Sequence, residues 1–346
     1  MQVGMSLAIK TLAEDFRPLD GVYREFMEEA VLAEELGFDF VSTSEHHLED
    51  DAWSPSQLPI LAYVAARTSR VRLHTNVFLL PLHDPLRVSE DAATVDVLSG
   101  GRLDLICGAG SVAEEFETFG HDPKDRWGRL FEGMDLIRRS YTEDRFDYEG
   151  KHLRYPGVHQ TTKPAQDPFP LWVGGFGPKL HHRSGRAGFH FQGMPSFHPE
   201  YLRGLSEAGL DPADMNCAAF VTGHLADTRA RAWEESRVAW WNWQREYRKR
   251  TWLAGPPDQT LPPLESFTEP PQGFMAPVLG NPDDVLAALQ PMLEGADCTH
   301  FSFAFRSSGG NMPAEVARPA IHLFAREVLP VLRTWGREPK TSVAVG

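Results

Sequence analysis

The chain has 346 residues, 42% hydrophobic and 24% charged, a composition that provides a large core and excludes disordered, collagen-like and coiled-coil proteins. Its formal charge of −14 disfavours nucleic acid and anionic membranes as partners, because contacts with phosphate supply most of that affinity. No apolar stretch reaches about 18 residues, the start lacks a secretory signal pattern and the three cysteines are widely spaced, so we expect a cytoplasmic protein without a transmembrane helix or a disulfide framework.

Apolar runs alternate with helical patterns along the first part of the chain. We predict strands at 3–9, 40–44, 71–77 and 103–107, and helices at 21–36, 56–68 and 87–99. Gly37 and Gly100-Gly101 follow two of these helices and are typical helix-ending residues. The second strand is a short apolar run, as expected of a parallel strand that is buried on both faces.

The alternation continues to the end of the chain with two interruptions. We predict strands at 170–173, 189–192, 216–222 and 299–305, and helices at 130–141, 179–187, 199–208, 227–250, from 282 onward, and 313–333. Asp227 is the expected cap of the long helix, and Pro282 suits a first helical position. The interruptions are a small hairpin that turns at Glu149-Gly150 and a Pro-rich, aromatic stretch at 252–277.

Eight strand candidates that alternate with helices predict a (β/α)8 TIM barrel, an α/β fold, with insertions after strands four and seven. We treat residues 1–346 as a single barrel domain with insertions near 145–165 and 251–277. A doubly wound sheet is the alternative. Its dinucleotide fingerprint is missing, because Gly108-Ala109-Gly110 lacks the third glycine. In a barrel the chemistry gathers at the carboxyl ends of the strands.

The motif Glu45-His46-His47 follows the second predicted strand directly. Consecutive side chains of an extended segment point to opposite faces, so one imidazole can face the barrel mouth while the other packs sideways. One alternative is a surface loop whose histidines only form local hydrogen bonds. Another is a metal site with ligands from His74 or His83, which the adjacent rather than alternate spacing of the two histidines disfavours.

A cysteine and two glycine-rich turns follow later strands. Cys107 is either a small buried hydrophobe, the commoner role of a single cysteine, or a reactive thiol beside the turn that follows it. The turns Gly108-Ala109-Gly110-Ser111 and Gly174-Gly175-Phe176-Gly177 expose backbone N–H groups, the second directly before a helix. They either only reverse the chain or cradle a phosphate. Two such turns on one face favour the phosphate site.

Together these motifs resemble those of the bacterial luciferase-like flavin monooxygenases. The matching segments are Glu45-His46-His47, Leu79-Leu80-Pro81, 83–87, Glu90-Asp91, 98–102, Cys107, Phe119-Gly120, 171–175 and 279–282. They cover nearly the whole chain, and residues 240–277 match least. The motifs are specific to the superfamily and do not identify a substrate.

The resemblance implies a barrel that holds reduced FMN at the carboxyl ends of its strands. His46 is then the catalytic histidine, Cys107 a thiol near the reactive edge of the flavin, and Asn76-Val77 a non-proline cis peptide under the flavin ring. The implied cofactor-binding residues are Glu45, Asn76, Val77, Gly108, Gly110, Gly174, Gly175, Phe176, Gly177 and Lys179. Where relatives carry basic and hydroxyl side chains, this chain has Gly108 and Phe176-Gly177-Pro178, so backbone N–H groups, with Lys179 or Arg183 assisting, would hold the phosphate weakly.

The implied activity is that of a two-component monooxygenase. Reduced FMN from a separate flavin reductase reacts with O₂ to a flavin C4a-hydroperoxide, which oxygenates a small organic substrate. Because water destroys that intermediate, the pocket must be dry, and Trp53, Phe78 and Phe197 are candidates for its walls or for ordinary core packing. His46 would control protons, since an unperturbed imidazole titrates near pH 6.5.

Two other functions remain open. One is hydride transfer with the deazaflavin F420. The His46-His47 pair and the Gly100-Gly101-Arg102 turn fit the FMN branch of the superfamily better than the F420 branch. The other is a flavin-binding protein without catalytic activity, which the retention of Glu45, His46 and Cys107 disfavours. The relatives also imply a homodimer. The substrate and the type of oxygenation are not determined by the sequence.

Overall fold

Eight parallel strands close into a barrel in the computed structural model, which describes residues 1–12, 16–250, 253, 261–273, 276–305, 312–340 and 343–344. The described residues contain thirteen strands in all: β1 (Gln2–Leu7), β2 (Phe40–Thr43), β3 (Arg72–Thr75), β4 (Leu103–Cys107), β5 (Phe146–Glu149), β6 (Arg154–Val158), β7 (Gln166–Asp167), β8 (Leu171–Gly174), β9 (His190–Gly193), β10 (Cys217–Leu225), β11 (Val278–Gly280), β12 (His300–Ala304) and β13 (Val343–Ala344). The barrel order is β1-β2-β3-β4-β8-β9-β10-β12, and β12 pairs with β1 to close it. The predicted TIM barrel is confirmed.

The helices lie between these strands in the predicted order. They are α1 (Leu19–Glu35), α2 (Gln57–Ala65), α3 (Pro85–Ser99), α4 (Ala113–Thr118), α5 (Arg126–Thr142), α6 (Pro178–Arg186), α7 (His198–Ala208), α8 (Arg229–Lys249), α9 (Pro282–Leu293), α10 (Ala314–Leu323) and α11 (Leu329–Leu332). A π-helical turn at 324–328 divides the predicted closing helix into α10 and α11. Helix α4 was not predicted. No helix among the described residues is long and apolar enough to cross a membrane.

Local sequence sets several of the helix ends. Asn281 caps α9 by accepting a hydrogen bond from Asp284 N–H, and the Asp284 side chain accepts one in return. Gly100 ends α3 with a φ of 71°, a backbone conformation that glycine adopts without steric cost. The predicted cap of α8 was wrong by one residue, because the Thr228 side chain rather than Asp227 accepts the hydrogen bond from Arg231 N–H.

Alternate residues of the strands face the helices and the barrel interior. On β4, Leu105 and Cys107 pack in the large apolar cluster that includes residues of the surrounding helices. Ile106, between them, packs with Trp172 and Ala218 in a separate cluster. Side chains beyond the carboxyl ends of the strands are therefore set on a filled cylinder, as in other barrels.

Both predicted interruptions lie outside the barrel sheet. Strands β5 and β6 form the antiparallel hairpin, and Gly150 N–H donates to Leu153 O across its turn. The second excursion follows α8 and leads into β11, which pairs with the far end of β10. Of the predicted stretch 252–277, residues 252, 254–260 and 274–275 lie outside the described part of the chain.

Candidate active site

The two adjacent histidines at the end of β2 separate as the extended geometry predicts. His46 Nδ1 lies 3.0 Å from Glu115 Oε1, whereas His47 Nε2 lies 2.8 Å from Glu45 Oε1. The His46 side chain is 13% exposed and His47 is 8% exposed. The two imidazoles therefore have different carboxylate partners, and His46 is the one nearer to solvent.

Glu115, which the sequence analysis missed, orients His46. It lies in the first turn of α4, is buried, and accepts a second hydrogen bond from the His47 backbone N–H at 2.9 Å. Burial lowers the pKa of His46, and the hydrogen bond to Glu115 opposes that shift. The available signal was the acidic pair Glu114-Glu115 directly after the glycine turn of β4. An imidazole held at Nδ1 by a carboxylate presents Nε2 for proton transfer.

Trp53 and Tyr247 stand beside the His46 ring. The ring centroids of His46 and Trp53 are 4.6 Å apart at an interplanar angle of 76°, and Tyr247 lies 6.5 Å from His46. Trp53 is 4% exposed and donates from Nε1 to Ser44 Oγ at 2.9 Å. These aromatic side chains limit the contact of the imidazole with water.

Two cations, both missed by the sequence analysis, pack on Trp53. Lys10 Nζ lies 4.3 Å and Arg250 Cζ 4.9 Å from its ring. Lys10 forms a buried ion pair with Asp51, and burial lowers the pKa of Lys10 to about 8 despite that partner. Arg250, just beyond α8, pairs with Glu49 at 2.8 Å. The second excursion is thereby attached to the loops that follow β1 and β2.

Glu45 forms the centre of a second network on the other side of the motif. Its Oε1 accepts hydrogen bonds from His47 Nε2 and from His83 Nε2, the latter at 2.7 Å, and its Oε2 accepts one from Gln57 Nε2 at 3.0 Å. Burial alone would raise the pKa of Glu45, but the hydrogen bonds from the two histidines outweigh it and lower the pKa to about 2. Of the two histidines considered as metal ligands, His83 joins this group and His74 does not.

The floor of the barrel mouth is formed by Val77. The Asn76–Val77 peptide bond is cis, as the resemblance implies. A Cβ at Gly108 would lie 2.4 Å from Val77 Cγ2, and one at Gly174 would lie 2.4 Å from Val77 Cγ1. These two glycines therefore make room for Val77. The packing of Val77 is enough to explain why both positions are glycine, and the predicted contact with phosphate is not needed for it.

Polar side chains surround that floor. Asn76 Nδ2 donates to Ser6 Oγ at 3.1 Å, and Gln192 Nε2 donates to Asn76 Oδ1 at 2.8 Å. Gln57 holds the adjoining backbone by accepting from Asn76 N–H and donating to Val77 O. Within the described part of the chain, Gln192 Oε1 and Ser302 Oγ are buried without a hydrogen-bond partner. Such unsatisfied atoms at a barrel mouth suit contact with a polar ligand.

The second glycine turn leads into α6. Gly177 precedes the helix with a φ of 112°, and no described atom lies within 4 Å of the position that a Cβ would take there. The neighbouring Phe176 is 55% exposed, and Lys179 is exposed in the first turn of the helix. Gly175 N–H donates to Gln192 O at 3.2 Å. Of the predicted phosphate residues, Gly177 and Lys179 thus lie in an open position at a helix start.

Other predicted site residues have packing roles. Cys107 is fully buried in the helix-facing cluster, and burial raises the pKa of its thiol, which favours the interpretation as a small hydrophobe. Phe78 packs in the same cluster, 4.5 Å from the His83 ring, and Phe197 stacks on His181 at 5.2 Å. A Cβ at Gly110 would lie 3.0 Å from the Phe116 ring. These contacts give none of the four a direct place beside His46.

The Gly100-Gly101-Arg102 turn lies at the wrong end of the barrel to select a cofactor. It precedes β4, and Arg102 donates to the carbonyl oxygens of Ala65, Thr68 and Val71. The turn therefore joins α2 and α3 to the amino end of the sheet. Among the described residues the turn has no direct contact with the mouth, and its expected preference for the FMN branch stays a prediction.

Comparison with known proteins gives a family. The model of the luciferase-like monooxygenases matches residues 1–289. An F420-dependent glucose-6-phosphate dehydrogenase of Nocardia farcinica is 28% identical, with 95% of this chain and 98% of that protein covered. A 4-hydroxyprotoasukamycin monooxygenase of Streptomyces nodosus subsp. asukaensis is 28% identical over 88% of this chain and 85% of its own length. An uncharacterized protein of Sinorhizobium fredii is 32% identical, but the chain spans only about half of it, 48%.

Solved structures of similar fold include enzymes with different cofactors. The monooxygenase RslO1 from Streptomyces bottropensis superposes with a TM-score of 0.80 at 26% identity, covering 96% of this chain and 100% of that one. The oxygenating constituent of 3,6-diketocamphane monooxygenase from Pseudomonas putida, in complex with FMN, has a TM-score of 0.72 at 18% identity, with 98% and 99% covered. An F420-dependent secondary alcohol dehydrogenase has the same TM-score at 20% identity, with 94% and 98% covered.

Proposed function

Because the chain belongs to the luciferase-like monooxygenase family, we propose that it is a flavin-dependent monooxygenase that uses reduced FMN and O₂ to oxygenate a small organic substrate. The observation that carries the proposal is the His46–Glu115 pair at the carboxyl end of β2, beside two aromatic rings. Two relatives that cover most of the chain are named monooxygenases, which supports oxygen transfer over a binding function alone.

The described residues fit a flavin at the mouth. Val77 provides an apolar floor between Gly108 and Gly174, where any larger residue would collide with it. Gln192 Oε1 is a buried acceptor without a partner in the described chain, and the amide edge of a flavin ring carries an N–H that could satisfy it. Gly177 and the first N–H groups of α6, with Lys179, would hold the phosphate. Reduced FMN would supply the electrons that activate O₂.

His46 would move protons at the reacting atoms of the substrate. Glu115 fixes the ring through Nδ1, which leaves Nε2 to donate or accept a proton. Burial lowers the pKa of His46, so the ring is neutral at physiological pH and acts first as a base. Glu45, ionised and bound by His47 and His83, would hold the loop that carries His46 rather than exchange protons itself.

The aromatic residues would keep water from this site. Trp53 is fixed by its hydrogen bond to Ser44 and by the cations of Lys10 and Arg250 on its ring. Tyr247 brings the end of α8 against the same ring at 6.4 Å. A water-excluding wall strengthens electrostatic interactions at the reacting atoms and limits side reactions. We include a separate flavin reductase and a homodimer in the proposal, since the resemblance implies both.

The second candidate is an F420-dependent oxidoreductase. It is favoured by the relative that covers 95% of this chain, an F420-dependent glucose-6-phosphate dehydrogenase. The same His46–Glu115 pair could accept the proton of a substrate hydroxyl during hydride transfer to F420. The two candidates differ in cofactor and in the need for O₂, and both differences are measurable.

The deciding experiment combines binding with turnover. The full chain is titrated with reduced FMN and with F420 in the absence of O₂, and binding is followed by cofactor absorbance. It is then supplied with NADH, a flavin reductase, FMN and isotopically labelled O₂, with camphor, decanal or naphthol as probes for the three types of oxygenation. We expect binding of reduced FMN and one labelled oxygen atom in a product.

A matched variant and the opposite result make the test specific. His46→Ala should bind reduced FMN with unchanged affinity but yield no labelled product and release peroxide instead. If the chain binds F420 but not reduced FMN, and reduces F420 without O₂ when given an alcohol or glucose 6-phosphate, the monooxygenase proposal is wrong and the second candidate is correct.

A further inference from the structure

Two of the three cysteines meet at the amino-terminal end of the barrel, away from the mouth. Cys217 begins β10, and Cys298 lies in the turn before β12, next to Thr299, whose N–H donates to Cys217 O at 2.9 Å. Both cysteines are buried in one apolar cluster, 1% and 3% exposed. The Cys217 thiol donates to the backbone oxygen of Asp297, the residue before Cys298, at 3.0 Å, and lies in contact with the Cys298 thiol. Neighbouring parallel strands thus bring together two cysteines that are 81 residues apart in the chain.

An imidazole completes this group. His198, the first residue of α7, is buried and hydrogen-bonds the Cys217 thiol. The hydrogen bonds from Cys298 and His198 lower the pKa of Cys217, whereas the contact with Cys217 and burial raise the pKa of Cys298. These contacts favour the thiolate on Cys217 over the thiolate on Cys298, which makes Cys217 the better nucleophile of the two. An activated thiol beside a second thiol is the arrangement found in redox-sensitive cysteine pairs.

We propose that Cys217 and Cys298 form a dithiol that hydrogen peroxide converts to a disulfide. The Cys217 sulfur attacks one peroxide oxygen, the O–O bond breaks, and water leaves a sulfenic acid on Cys217. The Cys298 sulfur then attacks the Cys217 sulfur, the S–O bond breaks, and a second water forms. Two electrons pass from the two sulfurs to the peroxide. His198 is placed to take the thiol proton and return it to the departing oxygen.

The product would link the starts of two neighbouring barrel strands. Strands β10 and β12 are paired along their length, from Ala218 with His300 to Thr222 with Ala304. A cross-link at their amino ends reinforces this pairing and leaves the loops of the mouth free to move. The inference therefore does not depend on the proposed oxygenase activity, and either can fail without the other.

Cys107 provides a control within the same chain. Cys107 is as deeply buried as Cys217 and Cys298. Burial and the neighbouring Glu45 carboxylate raise the pKa of its thiol. General access of peroxide to the core would oxidise all three cysteines at comparable rates. Selective chemistry at the pair would spare Cys107.

The test is a count of thiols in the full chain. The reduced protein is treated with hydrogen peroxide, quenched with catalase, denatured and alkylated, and its thiols are counted and mapped by mass spectrometry. We expect the count to fall from three to one, with a Cys217–Cys298 cross-linked peptide and Cys107 alkylated. A count that stays at three, or a loss of thiols without that cross-link, overturns the proposal.

Variants separate the roles of the three residues. Cys298→Ala should leave a sulfenic acid on Cys217 that dimedone labels, and Cys107→Ala should form the cross-link at the wild-type rate. His198→Gln should form the same disulfide about tenfold more slowly, as expected when a proton acceptor is removed. An unchanged rate in His198→Gln would assign the imidazole a packing role only. If a cysteine variant does not fold, the wild-type count still decides.

Discussion

A histidine–carboxylate pair at the mouth of the barrel can be compared with a similar pair inside it, and only the first lies where chemistry is expected. At the mouth, His46 pairs with Glu115 at 3.0 Å. Inside the barrel, His74 Nε2 lies 3.1 Å from Asp104 Oδ2, and Trp172 Nε1 donates to the other oxygen of Asp104 at 3.0 Å. Residue type and pairing are therefore alike in the two places.

The clusters differ in what surrounds them. The His74 ring stacks on Phe40 at 4.1 Å and is 1% exposed, and Arg72 pairs with the same Asp104. Burial alone would raise the pKa of Asp104, but Arg72 and His74 hold it well below its usual range. No substrate can reach such a closed group. The mouth histidine instead comes from a loop, retains 13% exposure, and contacts Glu115 of α4 and Tyr247 of α8. The two histidine–carboxylate pairs are therefore distinguished by where they lie along the strands and not by their residue types.

The largest expected effect separates the clusters by activity. His46→Ala removes the proposed proton carrier and should lower product formation at least about 100-fold, or about 3 kcal/mol. His190→Gln, which changes a histidine of the interior group beside Trp172, should leave the turnover of folded protein within about twofold. The rates are measured with reduced FMN supplied directly. Equal losses in both variants would contradict the distinction.

Acid stability should report on the interior cluster. Burial lowers the pKa of His190 to about 4 and lowers that of His300, whereas an unfolded histidine titrates near pH 6.5. As the pH falls below about 6.5, the unfolded chain binds protons that the folded chain does not, so the free energy of unfolding decreases. For His190 we expect a loss of about 2–3 kcal/mol by about pH 4.5.

The measurement is the urea concentration at the midpoint of unfolding, determined at about pH 6.5 and at about pH 4.5. Glu45, with a pKa of about 2, stays ionised in the folded protein throughout this range, and its unfolded carboxyl takes up protons only near the acid end, so its share of the loss is smaller than that of His190. His190→Gln should show a correspondingly flatter pH dependence, because its side chain cannot take up a proton. A pH dependence equal to that of the wild type would show that His190 is not the responsible group.

The packing of Val77, which forms the floor of the mouth, can be tested at Gly108. A Cβ there would lie 2.4 Å from Val77 Cγ2, so Gly108→Ala should displace the floor of the mouth, lower the free energy of unfolding by about 1–3 kcal/mol and weaken flavin binding. Gly21→Ala in α1, where no described atom lies within 4 Å of the new Cβ, is the matched control and should be neutral or stabilising. Adding Val77→Ala to Gly108→Ala should recover flavin affinity.

The smallest expected effect concerns the orientation of His46. Glu115→Gln keeps a hydrogen-bond acceptor but removes the charge, so product formation should fall about tenfold, or about 1.4 kcal/mol. The hydrogen bond and charge of Glu115 raise the pKa of His46 against the effect of burial. The limb of the pH–rate profile that reports His46 should therefore move to lower pH. A lower rate with an unmoved limb would assign Glu115 a structural role.

Much of the fold could be predicted because it depends on local patterns. The short run Phe40-Val41 after Gly37 indicates a buried strand, and Asn281-Pro282 sets the start of α9. The alternation of such elements is sufficient to indicate a barrel. The short strand β11 was not predicted, since three residues are too few to show a strand periodicity.

The sequence by itself determined the barrel and the place of the Glu45-His46-His47 motif at its mouth, because strand order and the direction of side chains follow from local geometry. Only the tertiary structure decided which distant residues contact His46 and the cysteines. Glu115 is 69 residues from His46, and Cys217 is on a different strand from the turn that carries Cys298. The structure likewise decided that Cys107 faces the helices. Contacts between distant segments depend on how the whole cylinder closes, and no local pattern contains that information.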